Sequence, residues 1–188
     1  MLKRLVFSII LKKIMACDIT AGRAKPCKTQ LGGVSKLFLF NWLEAPFTFA
    51  AGVATAMNVA LTEAFVYDLS TLGADVLVEN GVGDEAAGTF VNTQTVTAIL
   101  QGVDAATQNE MKLLAQGRVS AVIKSNNGDY HLVGDTDGIN FNVDATTGTT
   151  HAEFTGYTLT GSSLENKYSP ILDGATVTAF ELVVAVNP

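Results

Sequence analysis

Histidine, cysteine and charged side chains are scarce in this chain of 188 residues. It holds two histidines, His131 and His151, and two cysteines, Cys17 and Cys27. So few histidines leave little room for histidine-based acid–base catalysis, and two cysteines far from any histidine do not match a zinc site. The sequence also has no nucleophile elbow, metalloprotease motif or phosphate-binding loop. We therefore expect a non-enzymatic protein without catalytic residues, cofactor or metal.

Two sequence features bear on calcium binding and on glycosidase activity. Asp135-Thr136-Asp137-Gly138 resembles the start of a calcium loop of the EF-hand type, but Ile139 stands where the fifth position needs an oxygen ligand. The motif therefore predicts a plain turn. The many acids of the chain could still supply the carboxylate pair of a glycosidase, which is the least favoured interpretation.

Charge is distributed unevenly along the chain, whose net charge is −6. From Leu37 to the end there are four basic residues against seventeen acids. Nucleic-acid binding needs clustered Lys and Arg, so we expect no specific nucleic-acid binding by this acidic body. The apolar run Leu5–Leu11 is too short to cross a bilayer and is followed by two lysines, so we expect no membrane span.

The N-terminal part divides into two segments before a single β-rich domain at 37–188. Residues 1–14 are interpreted as a leader or as a misassigned start, because Met15 opens a plausible mature sequence. Residues 15–36 form a basic arm, and its charge is opposite to that of the body. Arg23, Lys25 and Lys28 are therefore candidates for docking onto a neighbouring subunit, with an ordinary surface loop as the alternative. Whether Cys17 and Cys27 form a disulfide stays open.

Apolar and β-branched runs predict a mainly β fold, either an antiparallel β-sandwich or a barrel. An exposed loop is predicted around Gly81, Gly83 and Gly88, because glycines cluster there. The predicted strands are Val34–Trp42, Val76–Val78, Thr93–Leu100, Ile139–Val143, Phe154–Thr160 and Thr176–Val186.

One flanking α-helix is predicted at about 104–116, capped by Asp104 and ended by Gly117. Its sheet-facing side is expected to hold Val103, Ala106, Leu113 and Leu114, with Glu110 at the margin or reaching a partner. A hairpin is predicted next, with strands Ser120–Lys124 and Tyr130–Val133. Its turn is Asn126-Asn127-Gly128, where Asn-Gly supplies the positive φ angles of a tight turn.

From Met15 to Gly161 the chain resembles tailed-phage virion proteins of the tail-tube type. The resemblance rests on MACDITAGRAKPCKTQLGGVSKLFLFN, TQTVTAIL, QNEMKLLAQGRVSAVIKSNNGDYHLVGDTDG and FTGYTLTG. Its most specific part is the block Gln108–Gly138 together with Gly156–Thr160. After Gly161 the sequence departs from the family pattern with a longer tail.

The resemblance implies a β-sandwich or barrel with a flanking helix, whose subunits close into rings that stack into a tube for DNA. The partners would be copies of the same chain and other virion proteins, assembled in the host bacterial cytoplasm. Alternatives are a head-decoration or head–tail joining protein, and a carbohydrate-binding or adhesion module. The last would be expected to expose aromatic side chains on one face.

Overall fold

The computed structural model describes residues 21–25, 30–69 and 74–185. The chain divides into two units, Met1–Gln30 and Leu31–Pro188. In the first unit, residues 21–25 and Gln30 are exposed and have no regular secondary structure. The predicted leader at 1–14 and both cysteines lie outside the described residues.

The second unit is mainly β, as the sequence predicted, and its described residues form twelve strands and two helices. The helices are α1 (Ala105–Gln116) and α2 (Gly174–Glu181). The strands are β1 (Val34–Asn41), β2 (Phe47–Ala50), β3 (Val53–Met57), β4 (Ala64–Asp68), β5 (Val76–Asp84), β6 (Thr89–Gln101), β7 (Val119–Ser125), β8 (Tyr130–Val133), β9 (Asn140–Thr146), β10 (Gly156–Glu165), β11 (Ile171–Leu172) and β12 (Val184–Ala185).

Two sheets form a sandwich. Sheet A has the strand order β12-β4-β1-β7-β8-β11-β3-β2, and sheet B has the order β5-β6-β10-β9. Neighbouring strands are antiparallel, except in the two short pairs β3–β11 and β4–β12, which are parallel. Neither sheet closes into a barrel over the described ranges. Of the two predicted architectures, the sandwich is therefore the one found.

The strand β1 shows how the sequence produces three layers. Leu37 and Leu39 lie in the core between the two sheets, whereas Phe38 and Phe40 lie in a second core on the opposite face of sheet A. Successive side chains of a strand point to opposite faces, so both faces of β1 are buried. A strand buried on both faces has a continuous run of apolar residues. For this reason Leu37–Phe40 does not alternate between apolar and polar residues.

The second core is closed by α2, which packs against the outer face of sheet A. Phe180 of α2 is fully buried, and its ring centroid lies 5.5 Å from that of Phe38, 6.2 Å from Phe47 and 6.4 Å from Phe40. Edge-to-face aromatic contacts of this kind are favourable beyond the area that they bury. This cluster holds α2 onto sheet A.

The helix α2 corrects the predicted strand at Thr176–Val186. Its Thr- and Val-rich sequence has the β-branched composition of a strand. The carboxylate of Asp173 accepts a hydrogen bond from the Thr176 backbone at 2.7 Å and caps the helix. The cap and the burial of Phe180 outweigh the local strand preference, and only Val184–Ala185 remains a strand.

The helix α1 confirms the predicted location but not the predicted packing face. Its buried residues are Met111 and Leu114, and Thr107 completes their stripe at helical spacing. Of the predicted face only Leu114 is buried: Ala106 and Leu113 are exposed, and Val103 lies before the helix and is also exposed. The buried face of α1 is set by its contact with β9. The helical positions of the apolar residues alone therefore did not identify this face.

The β7–β8 hairpin is confirmed, but its turn is not the tight two-residue type. Gly128 has a φ of 93°, whereas Asn127 does not have a positive φ. The N–H of Gly128 bonds to the Ser125 carbonyl at 3.0 Å, and the N–H of Ser125 bonds to the Asp129 carbonyl at 2.9 Å. The loop is therefore a turn followed by one left-handed glycine, which is the next most common hairpin connection.

Candidate functional site

The strand β5 extends much further than the sequence predicted. Gly81 and Gly83, expected in an exposed loop, lie within β5, which pairs with β6 from Val76 opposite Thr97 to Asp84 opposite Thr89. Valines recur at positions 76, 78 and 82 with the spacing of a strand, and this was the missed signal. The glycines do not interrupt it, because the long partner strand β6 supplies its hydrogen bonds.

The strand β5 is also an open edge of sheet B. It is nine residues long and has β6 as its one partner among the described strands. Its outward side chains Val76, Val78 and Val82 are exposed; it contains no lysine, arginine or proline, and its charged residues are the carboxylates Glu79 and Asp84. Natural edge strands are normally short, charged or covered, because free backbone groups recruit further strands.

The apolar surface of β5 continues onto the neighbouring strands. Val91 of β6 is the cross-strand partner of Val82, and Leu164 of β10 lies opposite Thr93. Both Val91 and Leu164 are exposed. We call the set Val76, Val78, Val82, Val91 and Leu164 the β5 patch.

The rest of the outer face of sheet B is polar but nearly uncharged. Its side chains are exposed or half-buried, and they include no lysine, arginine or glutamate. Asp84 and Asp144 are its two carboxylates. The polar uncharged members are Asn80, Thr89, Thr93, Thr95, Thr97, Gln101, Asn140, Asn142, Thr146, Thr158, Thr160 and Ser162, and Ile99 is a half-buried apolar exception.

The other edge of sheet B, β9, differs from β5. The helix α1 packs against it, and the bridge between Ile139 and Val119 joins its start to sheet A. Its outward side chains are polar, including Asn140, Asn142 and Asp144. Within sheet B, the β5 edge is therefore more apolar than the β9 edge.

Two aromatic side chains cover the inner side of the β5–β6 hairpin. The rings of Phe90 and Tyr168 are 5.9 Å apart, and both side chains are partly exposed. A Cβ atom at Gly81 would lie 2.5 Å from the Tyr168 hydroxyl. The absence of a side chain at Gly81 therefore allows Tyr168 to pack on β5.

The predicted docking residues lie in the other unit of the chain. Arg23 and Lys25 are exposed and have no regular secondary structure, and Lys28 lies outside the described residues. Their docking role stays a prediction.

A groove of about 550 Å³ is lined by the aromatic side chains of Trp42, Phe47 and Phe49, which makes it a place to look for a sugar-stacking site. The Arg118 guanidinium lies 4.0 Å from the centre of the Trp42 ring, and the Lys167 ammonium lies 3.9 Å from that of Phe49. The Trp42 and Phe49 rings therefore each already have a cation on one face. These contacts stabilise the groove and do not favour a carbohydrate site.

The turn at Asp135–Gly138 is held by the same two cations. Lys167 bonds to the Asp135 carboxylate at 2.5 Å, and Arg118 lies 3.5 Å from the Asp137 carboxylate. Gly134 and Gly138 bracket the turn with φ values of 69° and 72°. The two acids therefore pair with different cations rather than sharing one ion.

A polar network around Glu79 is the closest approach to a catalytic arrangement. The Glu79 carboxylate accepts bonds from Asn92 Nδ2 at 2.9 Å, Gln94 Nε2 at 3.3 Å and Ser169 Oγ at 2.8 Å. His131 Nδ1 is 3.5 Å from Ser169 Oγ. A serine nucleophile needs the imidazole between itself and the acid, whereas here serine donates directly to the carboxylate. The network fixes β5 against β6 instead.

Two ionisable groups have shifted pKa values for identifiable reasons. Asp75 is buried at the start of β5, which raises the pKa of its carboxyl, although the bond from the Ile99 N–H partly opposes this. In a groove between β4 and α1, burial raises the pKa of Tyr67, and the Glu110 carboxylate raises it further. Glu110 is exposed and lies at the margin of α1, one of the two predicted positions.

No helix within the described ranges is long and apolar enough to cross a membrane. Among the same residues, no three His, Cys, Asp or Glu side chains are grouped to hold a metal ion. No protein-family model, no curated protein and no solved structure matches the chain.

Proposed function

We propose that this chain is a non-enzymatic structural subunit of a tailed-phage virion, which self-assembles into rings or a tail tube through which DNA passes. Its partners are copies of itself and other virion proteins, and assembly takes place in the host bacterial cytoplasm. The observation that carries the proposal is the open β5 edge, with the exposed β5 patch beside it.

An open edge of this length favours association with further copies. Nine residues of backbone lack a partner on one side in the described structure, and the side chains next to them are apolar. In a closed ring each subunit offers its edge to the next, so that no edge stays free. A monomer leaves both the edge and the β5 patch in water.

The charge of the surface is compatible with a passage for DNA. The outer face of sheet B has two carboxylates and no basic side chain, so it offers no clustered cations to phosphate. The acidic body also makes copies repel one another at low ionic strength. We therefore expect assembly to increase with salt concentration, because salt screens this repulsion.

The sequence resemblance supports the proposal independently of the β5 patch. Its most specific part, Gln108–Gly138 with Gly156–Thr160, forms most of α1, the β7–β8 hairpin, the following turn and the start of β10. None of the five residues of the β5 patch lies in these segments. The two lines of support therefore rest on different residues.

The test compares two pairs of lysine substitutions in the full chain. Val78→Lys with Val82→Lys places charge on the β5 edge, whereas Asn140→Lys with Asn142→Lys adds the same charge to β9. Negative-stain microscopy and light scattering measure assembly across salt concentrations. We expect wild type and the β9 variant to form rings or tubes and the β5 variant to remain monomeric.

Other outcomes separate the alternatives. A wild-type monomer at all protein and salt concentrations contradicts the proposal and favours a binding module, which a glycan screen would then examine. Small closed oligomers that never stack favour a head-decoration or head–tail joining protein. Equal assembly of both lysine variants contradicts the role of β5.

The basic arm gives a second, separate test. Reversal of Arg23, Lys25 and Lys28 to Glu is expected to weaken polymerisation without changing the melting temperature, because the arm would lose its attraction to an acidic neighbour. Unchanged assembly of the triple variant contradicts the docking role of these residues.

A further inference from the structure

Five residues form a closed ring of polar contacts where β6 begins and β10 ends. Asn92 Nδ2 donates to the Lys167 carbonyl at 3.1 Å, and Lys167 Nζ donates to Asp135 Oδ2 at 2.5 Å. Next along the chain, the Thr136 N–H donates to Glu165 Oε1 at 2.9 Å. Glu165 is the cross-strand partner of Asn92, which closes the circuit. We call these five residues the polar ring.

Three members of the polar ring each keep one oxygen without a hydrogen-bond partner. These oxygens are Asn92 Oδ1, Asp135 Oδ1 and Glu165 Oε2. Their residues are 0%, 9% and 4% exposed, so bulk water does not compensate them. An unpaired buried acceptor is destabilising, so three of them on residues linked by the polar ring call for a partner such as a bound ion.

The charge of this region is also unbalanced. Glu165 and Asp135 belong to the polar ring, and Glu79 accepts a bond from the same Asn92 amide. Lys167 forms an ion pair with Asp135, and among the described residues no salt bridge reaches Glu79 or Glu165, so two negative charges are left over. Buried charges in proteins are normally paired or coordinate a metal ion.

We propose that the polar ring binds Ca²⁺ through Asn92 Oδ1, Asp135 Oδ1 and Glu165 Oε2, with water completing its coordination. One water molecule donates to two acceptors at most and adds no charge, whereas a divalent cation can bind several oxygens at once and would balance the excess negative charge. Carboxylate and amide oxygens are calcium ligands, and calcium tolerates irregular geometry. The proposal does not depend on virion assembly.

These ligands differ from those of the calcium-like sequence motif. Asp135 is shared, but Asp137 is next to Arg118 and is not part of the polar ring. Asn92 and Glu165 come from β6 and β10, so they are distant in sequence from the turn. One of the three ligands is an amide, which is consistent with the absence of three grouped acids among the described residues.

Thermal unfolding of the full chain in CaCl₂ and in EDTA gives the first test. With only three protein ligands, we expect a dissociation constant of roughly 0.1–1 mM, as in weak extracellular calcium modules. The melting temperature should rise by several degrees with calcium, because the ion binds only the folded state. An unchanged melting temperature up to about 10 mM CaCl₂, well above that range, overturns the proposal.

Terbium luminescence locates the ion. Trp42 is the single tryptophan of the chain, and its Nε1 donates to the Thr136 carbonyl at 3.2 Å, next to the polar ring. Excitation of Trp42 should therefore sensitise bound Tb³⁺, and added Ca²⁺ should remove the emission. Absence of sensitised emission contradicts a site at this position.

Two substitutions distinguish the polar ring from its surroundings. Glu165→Gln keeps the acceptor for the Thr136 N–H and removes the charge, so it should abolish the terbium emission and the calcium-dependent rise. Its amide can also donate to an unpaired oxygen, so the calcium-free melting temperature should be maintained or raised. Asp135→Asn is a second loss-of-binding variant.

The matched control is Asp137→Asn, which removes a carboxylate near Trp42 but outside the polar ring. It should keep both the calcium response and the emission. Retention of both signals by Glu165→Gln, or their loss in Asp137→Asn alone, places the ion elsewhere and overturns the proposal.

Discussion

The two sheets of the sandwich use their faces differently. Sheet A has a core on each side, one shared with sheet B and one closed by α2. Sheet B has one buried face, and its outer face is exposed or half-buried throughout the described strands. Sheet A is therefore covered on both faces, whereas sheet B keeps one face available for contact.

This difference is visible in the strand sequences. In β6, Val96 and Ala98 face the core, and Thr95 and Thr97 between them face outward. This alternation of apolar and polar residues is typical of a strand with one solvent-exposed face, in contrast to the continuous apolar run of β1. The sequence pattern thus distinguishes a sheet with two covered faces from a sheet with one.

The largest expected effect comes from the α2 side of sheet A. Phe180→Ala should lower the free energy of unfolding by about 3–5 kcal/mol, because it leaves a cavity among Phe38, Phe40 and Phe47. Urea denaturation measures the change. The control Leu182→Ala removes an exposed side chain just after α2 and should change stability by less than about 0.5 kcal/mol. Similar losses in both variants would show that α2 does not close a core.

A smaller effect is expected at the inner face of sheet B. Gly161→Ala places a Cβ atom 2.6 Å from Phe141 and 2.7 Å from Ile139, so it should cost about 1–3 kcal/mol through overpacking. Gly83→Ala on β5 meets no atom within 4 Å and should stabilise the strand by about 0.5–1 kcal/mol. Chemical denaturation of the two variants compares a covered and an open part of one sheet. A larger loss of stability in Gly83→Ala than in Gly161→Ala would contradict this prediction.

The smallest expected effect is a pH dependence at the start of β5. Folding raises the pKa of Asp75 above its ordinary value of 3.8, so the folded protein holds this proton more tightly than the unfolded chain. The contribution of Asp75 to stability is therefore present at low pH and is lost as the pH rises through the folded pKa. Asp75→Asn keeps an acceptor for the Ile99 N–H and should be more stable than wild type at neutral pH. The gain should vanish on acidification.

At the helix cap Asp104, the pH dependence of stability is expected to have the opposite sign to that at Asp75. Bonds from the Thr107 hydroxyl and N–H lower the pKa of Asp104, so its contribution is present at neutral pH and is lost as the pH falls through the folded pKa. Asp104→Ala should be less stable than wild type at neutral pH, and its deficit should shrink on acidification. Unfolding curves from neutral to acid pH measure both variants. A shared sign for the two would contradict these assignments.

The elements predicted correctly are those whose local and tertiary preferences agree. The run Val34–Trp42, the alternation around Thr93–Leu100 and the cap Asp104 each predict an element that the fold also contains. The strand predicted at 176–186 was wrong because burial of Phe180 overrides β propensity. The loop predicted around Gly81, Gly83 and Gly88 was right for Gly88 but wrong for Gly81 and Gly83, because a long partner strand pairs with β5 as far as Asp84.

The candidate sites were less predictable than the fold. The sequence singled out Arg23, Lys25 and Lys28 by charge, and no described contact tests them. The β5 patch needed the register of three strands, because Leu164 is far from Val76 in sequence. The polar ring likewise joins residues from two strands and a turn.

The sequence by itself determined the mainly β class, the position of α1, the β7–β8 hairpin and the acidic character of the body. These properties depend on composition and on contacts between near neighbours, which a single chain reveals directly. Only the tertiary structure decided that β5 is an open edge, that α2 covers sheet A and that three buried oxygens lie unpaired between the sheets. Such features depend on which distant strands pair, and pairing is set by the packing of the whole chain rather than by any one segment.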